Sequence, residues 1–172
     1  LLLTAAEVAK EIPTVRFLFV GDGELRDSLE RQAAELGLSR HIIFRGLVDP
    51  KEIPRQIAAM DILTHTSLRE GLARTLPQAL LAGIPVVSYD IDGAREVCID
   101  GETGYLVTAG DTQTLARQLM DLSRAPELRK KFGMRGQSLC RERFSHHVMT
   151  DKIRGIYQKL LTDQDVSQLP SE

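Results

Sequence analysis

The stretch from Asp61 to Tyr89 constrains this chain most. A short segment at 61–66, centred on Ile62 and Leu63, leads into a Glu-Gly corner, Glu70 and Gly71, and an apolar helical segment follows around Leu76–Ala82. Gly83 stops that segment, and a second short segment at 85–89, with Val86, Val87 and Tyr89, begins at once. Short segments of this kind bounded by turn residues read as strands. A helix between two such strands gives a parallel pair with a crossover, and parallel pairs imply a sheet with helices on both sides.

The rest of the chain repeats the alternation. The spacing predicts strands over 15–20, 42–44, 61–66, 85–89 and 105–107. Helices are predicted over 24–36, 50–60, 112–124, 126–143 and 145–161, with a short one over 94–99. Leu2, Ala5, Val8 and Ile12 start the chain inside a helical pattern. In the last helix Val148, Met149, Ile153, Ile156, Tyr157 and Leu160 form an apolar stripe, and Ser145 is placed to cap it. The reading is α/β: a Rossmann-like parallel sheet over 1–161, followed by a frayed tail over 162–172. A doubly wound half begins with a strand, so a chain that opens on a helix reads as a fragment.

At 172 residues the chain is large enough for one domain with a real core. A net charge of −2 argues against a nucleic-acid partner. No apolar run is long enough to span a bilayer, and the first residues lack the form of a signal peptide. Cys98 and Cys140 stand alone, without metal-type spacing, and read as ordinary core or surface thiols.

The corner at residues 70–78 carries the chemistry. Pro77 is tolerated only in the first turn of a helix, so that helix starts near Arg74 or Thr75. The N–H groups of Leu72, Ala73, Arg74 and Thr75 then lack intrahelical partners and suit a phosphate. Gly71 lets the backbone turn and leaves room for a ligand. Glu70 cannot favourably touch phosphate but can accept hydrogen bonds from sugar hydroxyls. Gln78 leans toward the helix start and can reach a hydroxyl beyond the phosphates. Plainer readings stand beside these: Gly71 as a turn residue, Glu70 as a solvated acid or a partner of Arg69 or Arg74, and Gln78 as a surface residue. His65, at the end of the third strand, reads as a rim histidine or a catalytic one. Gly21-Asp22-Gly23 lacks the third glycine of a dinucleotide fingerprint and reads as a turn.

Four segments together carry a family likeness: Phe-Leu-Phe-Val-Gly-Asp-Gly-Glu-Leu at 17–25, Ile-Ile-Phe-Arg-Gly-Leu-Val at 42–48, Arg-Glu-Gly-Leu-Ala-Arg-Thr-Leu-Pro-Gln-Ala-Leu-Leu-Ala-Gly-Ile-Pro-Val-Val at 69–87 and Asp-Gly-Glu-Thr-Gly-Tyr-Leu-Val at 100–107. In this order the chain resembles the C-terminal, donor-binding domain of GT-B-fold, family-4-like retaining glycosyltransferases (glycosyl transferases group 1), from Leu2 to about Leu161.

The resemblance implies a nucleotide-diphosphate-sugar donor, used without metal or other cofactor. It implies that Glu70 contacts the hexose hydroxyls as the catalytic acid position, and that the amides of Gly71, Leu72, Ala73, Arg74 and Thr75 hold the diphosphate. It implies that Arg45, Gly46 and Leu47 line the base, mostly through backbone atoms. The family's ribose-binding acid, eight residues after the first, is here Gln78, a weaker neutral acceptor. The family's basic Arg-Lys pair and its acceptor domain with a catalytic histidine would precede Leu1. The isolated fragment is therefore expected to fold without turnover. The acceptor, a sugar or a lipid-linked glycan, and any membrane contact belong to that absent half. Location is expected to be cytoplasmic, with a peripheral station on the inner membrane face left open. Related readings are a nucleotide-sugar epimerase or phosphorylase, whose acid and lysine patterns are missing, and a catalytically degenerate nucleotide-binding module, to which Gln78 gives weight.

Overall fold

The computed structural model describes residues 1–163, and the remaining positions of the expected tail lie outside the described residues. Thr162 and Asp163, expected to be frayed, continue the last helix. The elements in order are α1 (Leu2–Glu11), β1 (Phe17–Val20), α2 (Arg26–Glu35), β2 (Ile42–Gly46), α3 (Ile53–Ala58), β3 (Leu63–His65), α4 (Thr75–Leu81), β4 (Val86–Tyr89), β5 (Gly104–Val107), α5 (Thr112–Arg124), α6 (Pro126–Arg143) and α7 (His146–Asp163). Every strand pair is parallel.

Most differences from the sequence reading are at element ends. Residues 50–60 do not form one helix. A 3-10 turn at Pro50–Glu52 precedes α3, because Pro54 has no N–H to continue the hydrogen bonding from Pro50. The short helix expected at 94–99 is a 3-10 turn at Asp92–Glu96, two residues earlier. Ser145 caps α7 as expected, its Oγ accepting from Val148 N–H at 3.3 Å.

The sheet itself differs more. Instead of one continuous sheet there are two ladders, β1-β2 and β3-β4-β5. No strand among the described residues pairs with the free side of β1 or of β3. Helix α1 lies across both ladders: Leu2 and Ala5 pack in the cluster with Ala33, Leu38 and Phe19, while Val8 packs with Val87, Val107 and Leu115. Phe17 touches both clusters.

Strand β4 is the axis of the larger ladder and is buried throughout. Its side chains alternate between two cores, as a strand covered on both faces must. Val86 faces Leu76, Ala79, Leu80 and Cys140. Val87 and Tyr89 face Leu115, Leu119, Leu122 and Phe132. Both cysteines are buried and free. Burial, helped by the charges of Asp100 and Asp90, pushes the Cys98 thiol up to about 12, and burial alone pushes Cys140 up to about 11.

Helix α4 ends in a Schellman arrangement: Ile84 N–H donates to Ala79 C=O and Gly83 N–H to Leu80 C=O, both at 2.9 Å. Gly83 takes φ +79°, which a side chain would strain. The stripe on α7 forms, and the described residues leave much of it open: Met149, Ile156 and Tyr157 are 58%, 58% and 64% exposed. No helix among the described residues is long and apolar enough to cross a membrane.

Leu80 is fully buried between α4, α6 and β4. Leu80→Ala is expected to lower stability by about 2–5 kcal/mol, read as a shift of the denaturation midpoint with an unchanged slope.

Candidate functional site

The site lies beyond the carboxyl ends of β3 and β4, where open α/β sheets receive ligands. Helix α4 begins at Thr75, with Arg74 as its cap, which is where Pro77 requires it. No side chain caps this start. The first backbone bonds into the helix are made by Leu76 and Gln78, donating to Ala73 and Arg74. The N–H groups of Gly71, Leu72, Ala73, Arg74 and Thr75 find no acceptor among the described residues. Five successive amides at one corner are thus a set of donors without acceptors. Of these residues Gly71, Arg74 and Thr75 are exposed, Leu72 is half-buried and Ala73 is buried under them.

Glu70 stands at the head of this run. It is not paired with Arg69 or Arg74. Its Oε2 meets His65 Nε2 at 2.9 Å, across the loop from the end of β3. The His65 side chain is 11% exposed and that of Glu70 45%. Oε1 of Glu70 makes no hydrogen bond among the described residues, and the side chain is nearly half exposed. A carboxylate anchored by one oxygen and open at the other can accept hydrogen bonds from a neutral polyol.

A second clamp comes from the turn after β4. Glu70 N–H donates to Asp92 Oδ2 at 3.0 Å, and Gly93 N–H donates to Gly71 C=O at 3.0 Å. Asp92 holds φ +38°, the one positive value among the described non-glycine residues. That conformation costs of order 1 kcal/mol or more and aims its carboxylate back at the corner. At Gly93 an added Cβ would lie 2.9 Å from Gly71 O and 3.2 Å from Leu72 Cβ, so only glycine allows this approach. Arg95 braces the turn by gripping Asp90, and this holds the Asp90 carboxyl below its usual range. Asp92 and Gly93 escaped the sequence reading. An Asp-Gly pair directly after a buried strand is a turn signal that marks them.

The other expected residues lie nearby in two places. Gln78 is exposed on α4 and borders a hollow of about 230 Å³ whose other walls include Pro50, Ile53, Ile57 and Leu81. Arg45 and Gly46 end β2 and Leu47 follows. Gly46 is buried at φ +72°, and its carbonyl accepts from Gly21 N–H at 2.9 Å. Leu47 is 83% exposed, an apolar side chain presented to solvent. The chain from Leu47 runs directly into the Pro50 wall of the Gln78 hollow. The Gly21-Asp22-Gly23 turn also borders a larger hollow of about 510 Å³, between Phe19, Leu25, Leu29 and Phe44. Asp22 pairs with Arg26 there, as a turn acid at a helix start does.

Residues 1–139 match the family described as Glycosyl transferases group 1. This chain belongs to that family. It is 34% identical over 158 residues to the phosphatidyl-myo-inositol mannosyltransferase of Mycobacterium leprae, covering 91% of this chain and 41% of the relative. It is 32% identical over 148 residues to the lipopolysaccharide core biosynthesis glycosyltransferase LpsE of Rhizobium meliloti, covering 86% of this chain and 43% of the relative. The chain thus spans less than half the length of these relatives. Among solved structures, HepE of Anabaena in complex with UDP superposes with a TM-score of 0.83 at 27% identity, over 91% of this chain and 44% of that one. Sucrose-phosphate synthase of Thermosynechococcus elongatus shares the fold, with a TM-score of 0.84 at 21% identity over 95% of this chain and 43% of that one. The Rossmann-like fold expected from the sequence is that of the GT-B glycosyltransferases.

Gly93→Ala is expected to force Gly71 and Leu72 outward at a cost of about 1–3 kcal/mol. Faster exchange of the Glu70 amide than in wild type, together with a lower melting temperature, checks it.

Proposed function

We propose that this chain is the donor-binding half of a retaining glycosyltransferase that takes its sugar from a nucleotide diphosphate. The observation that carries this is the run of five amides without acceptors, Gly71 to Thr75, beside a carboxylate with one free oxygen. Such donors suit the two negative phosphates, and the carboxylate suits the uncharged hexose next to them. Membership of a glycosyltransferase family supports the reading, as does HepE, whose structures are described with UDP and with UDP-glucose.

In this arrangement the diphosphate rests on the start of α4. Glu70 accepts from the hexose hydroxyls. Gln78 accepts from the ribose, and Arg45, Gly46 and Leu47 border the base. The bond from the sugar to the nucleotide breaks toward an oxocarbenium-like state, and the amides stabilise the charge that gathers on the departing diphosphate. They are in place before the charge develops, which is what makes them effective. The scheme itself calls on no metal. The acceptor, a sugar or a lipid-linked glycan, is held by residues outside this chain, and membrane contact belongs there too.

Calorimetric titration of the full-length protein with UDP, GDP and their hexose conjugates tests the reading. One nucleotide is expected to bind, and Gln78→Glu is expected to tighten it severalfold by replacing a neutral acceptor with a charged one. Nucleotide binding without any transfer favours the catalytically degenerate module, and absence of binding by any of them overturns the donor reading. In the same protein Glu70→Ala is expected to lower kcat at least about a hundredfold, a loss of the size seen when a transition-state contact is removed; steady-state transfer assays measure it.

A further inference from the structure

We infer that His65 is a positioning residue, the group that fixes the Glu70 carboxylate in the orientation a donor sugar meets. This rests on the donor-binding reading above and adds a role that the corner itself does not supply.

Glu70 sits on a loop, exposed, with three side-chain torsions that solvent would leave free. Ordering such a side chain has an entropic cost, and an unordered one offers its oxygens in many directions. His65 removes that freedom. The carboxylate has no proton to give, so the proton between Nε2 and Oε2 belongs to the imidazole, and the 2.9 Å contact is a charge-assisted bond. With Oε2 engaged, only Oε1 is left to face a ligand.

The imidazole is itself held. His65 is the last residue of β3 and stands in register with Ser88 on β4. Ser88 is fully buried, and its Oγ lies 3.5 Å from His65 Nδ1. With the ring proton on Nε2, Nδ1 is an acceptor, and the single Ser88 hydroxyl hydrogen lies between it and Tyr89 C=O, which is nearer at 2.9 Å. A chain of contacts thus runs from the buried strand β4 through the imidazole to the exposed acid. From the other side Asp92 fixes the Glu70 backbone N–H. One clamp holds the main chain and the other holds the side chain, and only the second sets the carboxylate's direction.

The two roles separate by ligand. A nucleotide diphosphate touches the amides and not Glu70, whereas its hexose conjugate touches both. The test uses the full-length protein with His65→Ala, His65→Gln, Glu70→Ala and the His65→Ala/Glu70→Ala pair, each first shown to melt as a folded protein. UDP, UDP-glucose, GDP and GDP-mannose are titrated calorimetrically, and transfer is assayed. His65→Ala is expected to reduce kcat/KM about tenfold while leaving UDP or GDP affinity within twofold. His65→Gln, which keeps a donor, is expected to recover part of the loss. On the Glu70→Ala background, His65→Ala is expected to add nothing, because its effect passes through the missing carboxylate. Equal losses for the nucleotide and its sugar conjugate, or full additivity of the two substitutions, overturn the positioning role and leave the donor reading standing. A wild-type protein that binds none of the four ligands overturns the donor reading, and this inference with it.

Discussion

The corner at residues 70–75 depends on backbone N–H groups that the protein leaves without internal partners. A buried or half-buried amide without an acceptor is destabilising, so folded chains nearly always satisfy it. Here five in succession have no acceptor among the described residues, on a corner that runs from exposed Gly71, Arg74 and Thr75 to buried Ala73. Much of the surrounding structure follows from keeping that row open yet rigid. Pro77 forbids the helix from starting earlier. The Asp92–Gly93 turn takes up the Glu70 N–H and the Gly71 carbonyl, the neighbouring backbone groups that would otherwise compete. The Leu76, Ala79 and Leu80 face of α4 is sealed into the core, so the helix cannot tilt to bury its own start.

The same economy explains the division between β4 and its surroundings. β4 is buried on both sides and carries Ser88 and Tyr89 to the edge of the site. Its rigidity is transmitted to the exposed residues by short contacts rather than by burial of those residues themselves. Glu70 remains nearly half exposed and open to a ligand, while the groups that orient it are covered.

The order of strands and helices was legible because each element carries its own local signal, such as Gly83 closing α4 or Val86, Val87 and Tyr89 marking β4. The start of α4 was legible for the same reason: Pro77 is a local rule. Glu70 and the amides were legible as a corner with two candidate meanings, a ligand site and a plain turn. What stayed hidden was long-range. His65 was marked as ambiguous because nothing in a linear chain shows that residue 65 folds back onto residue 70. The Asp92 clamp spans 22 positions and needs a positive φ that a non-glycine residue rarely adopts. The break between the two ladders was also invisible, since a strand's pattern shows that its faces are covered and says nothing of its edges. The apolar stripe of α7 predicted the helix correctly but not what lies against it.

That break has a mechanical consequence. Arg45 and Gly46 end β2 and Leu47 follows it, in the first ladder, whereas Glu70 and the amide row follow β3 of the second. Among the described residues no strand pairing joins the two ladders. Side-chain packing through Phe17 and α1 bridges them, with α1 also tied to α5 by Thr4 and by the Glu11–Arg124 pair. A packed joint has no hydrogen-bond register to hold it, so the volumes of Val8 and Ala5, one in each cluster, help to set how far apart the two ladders stand.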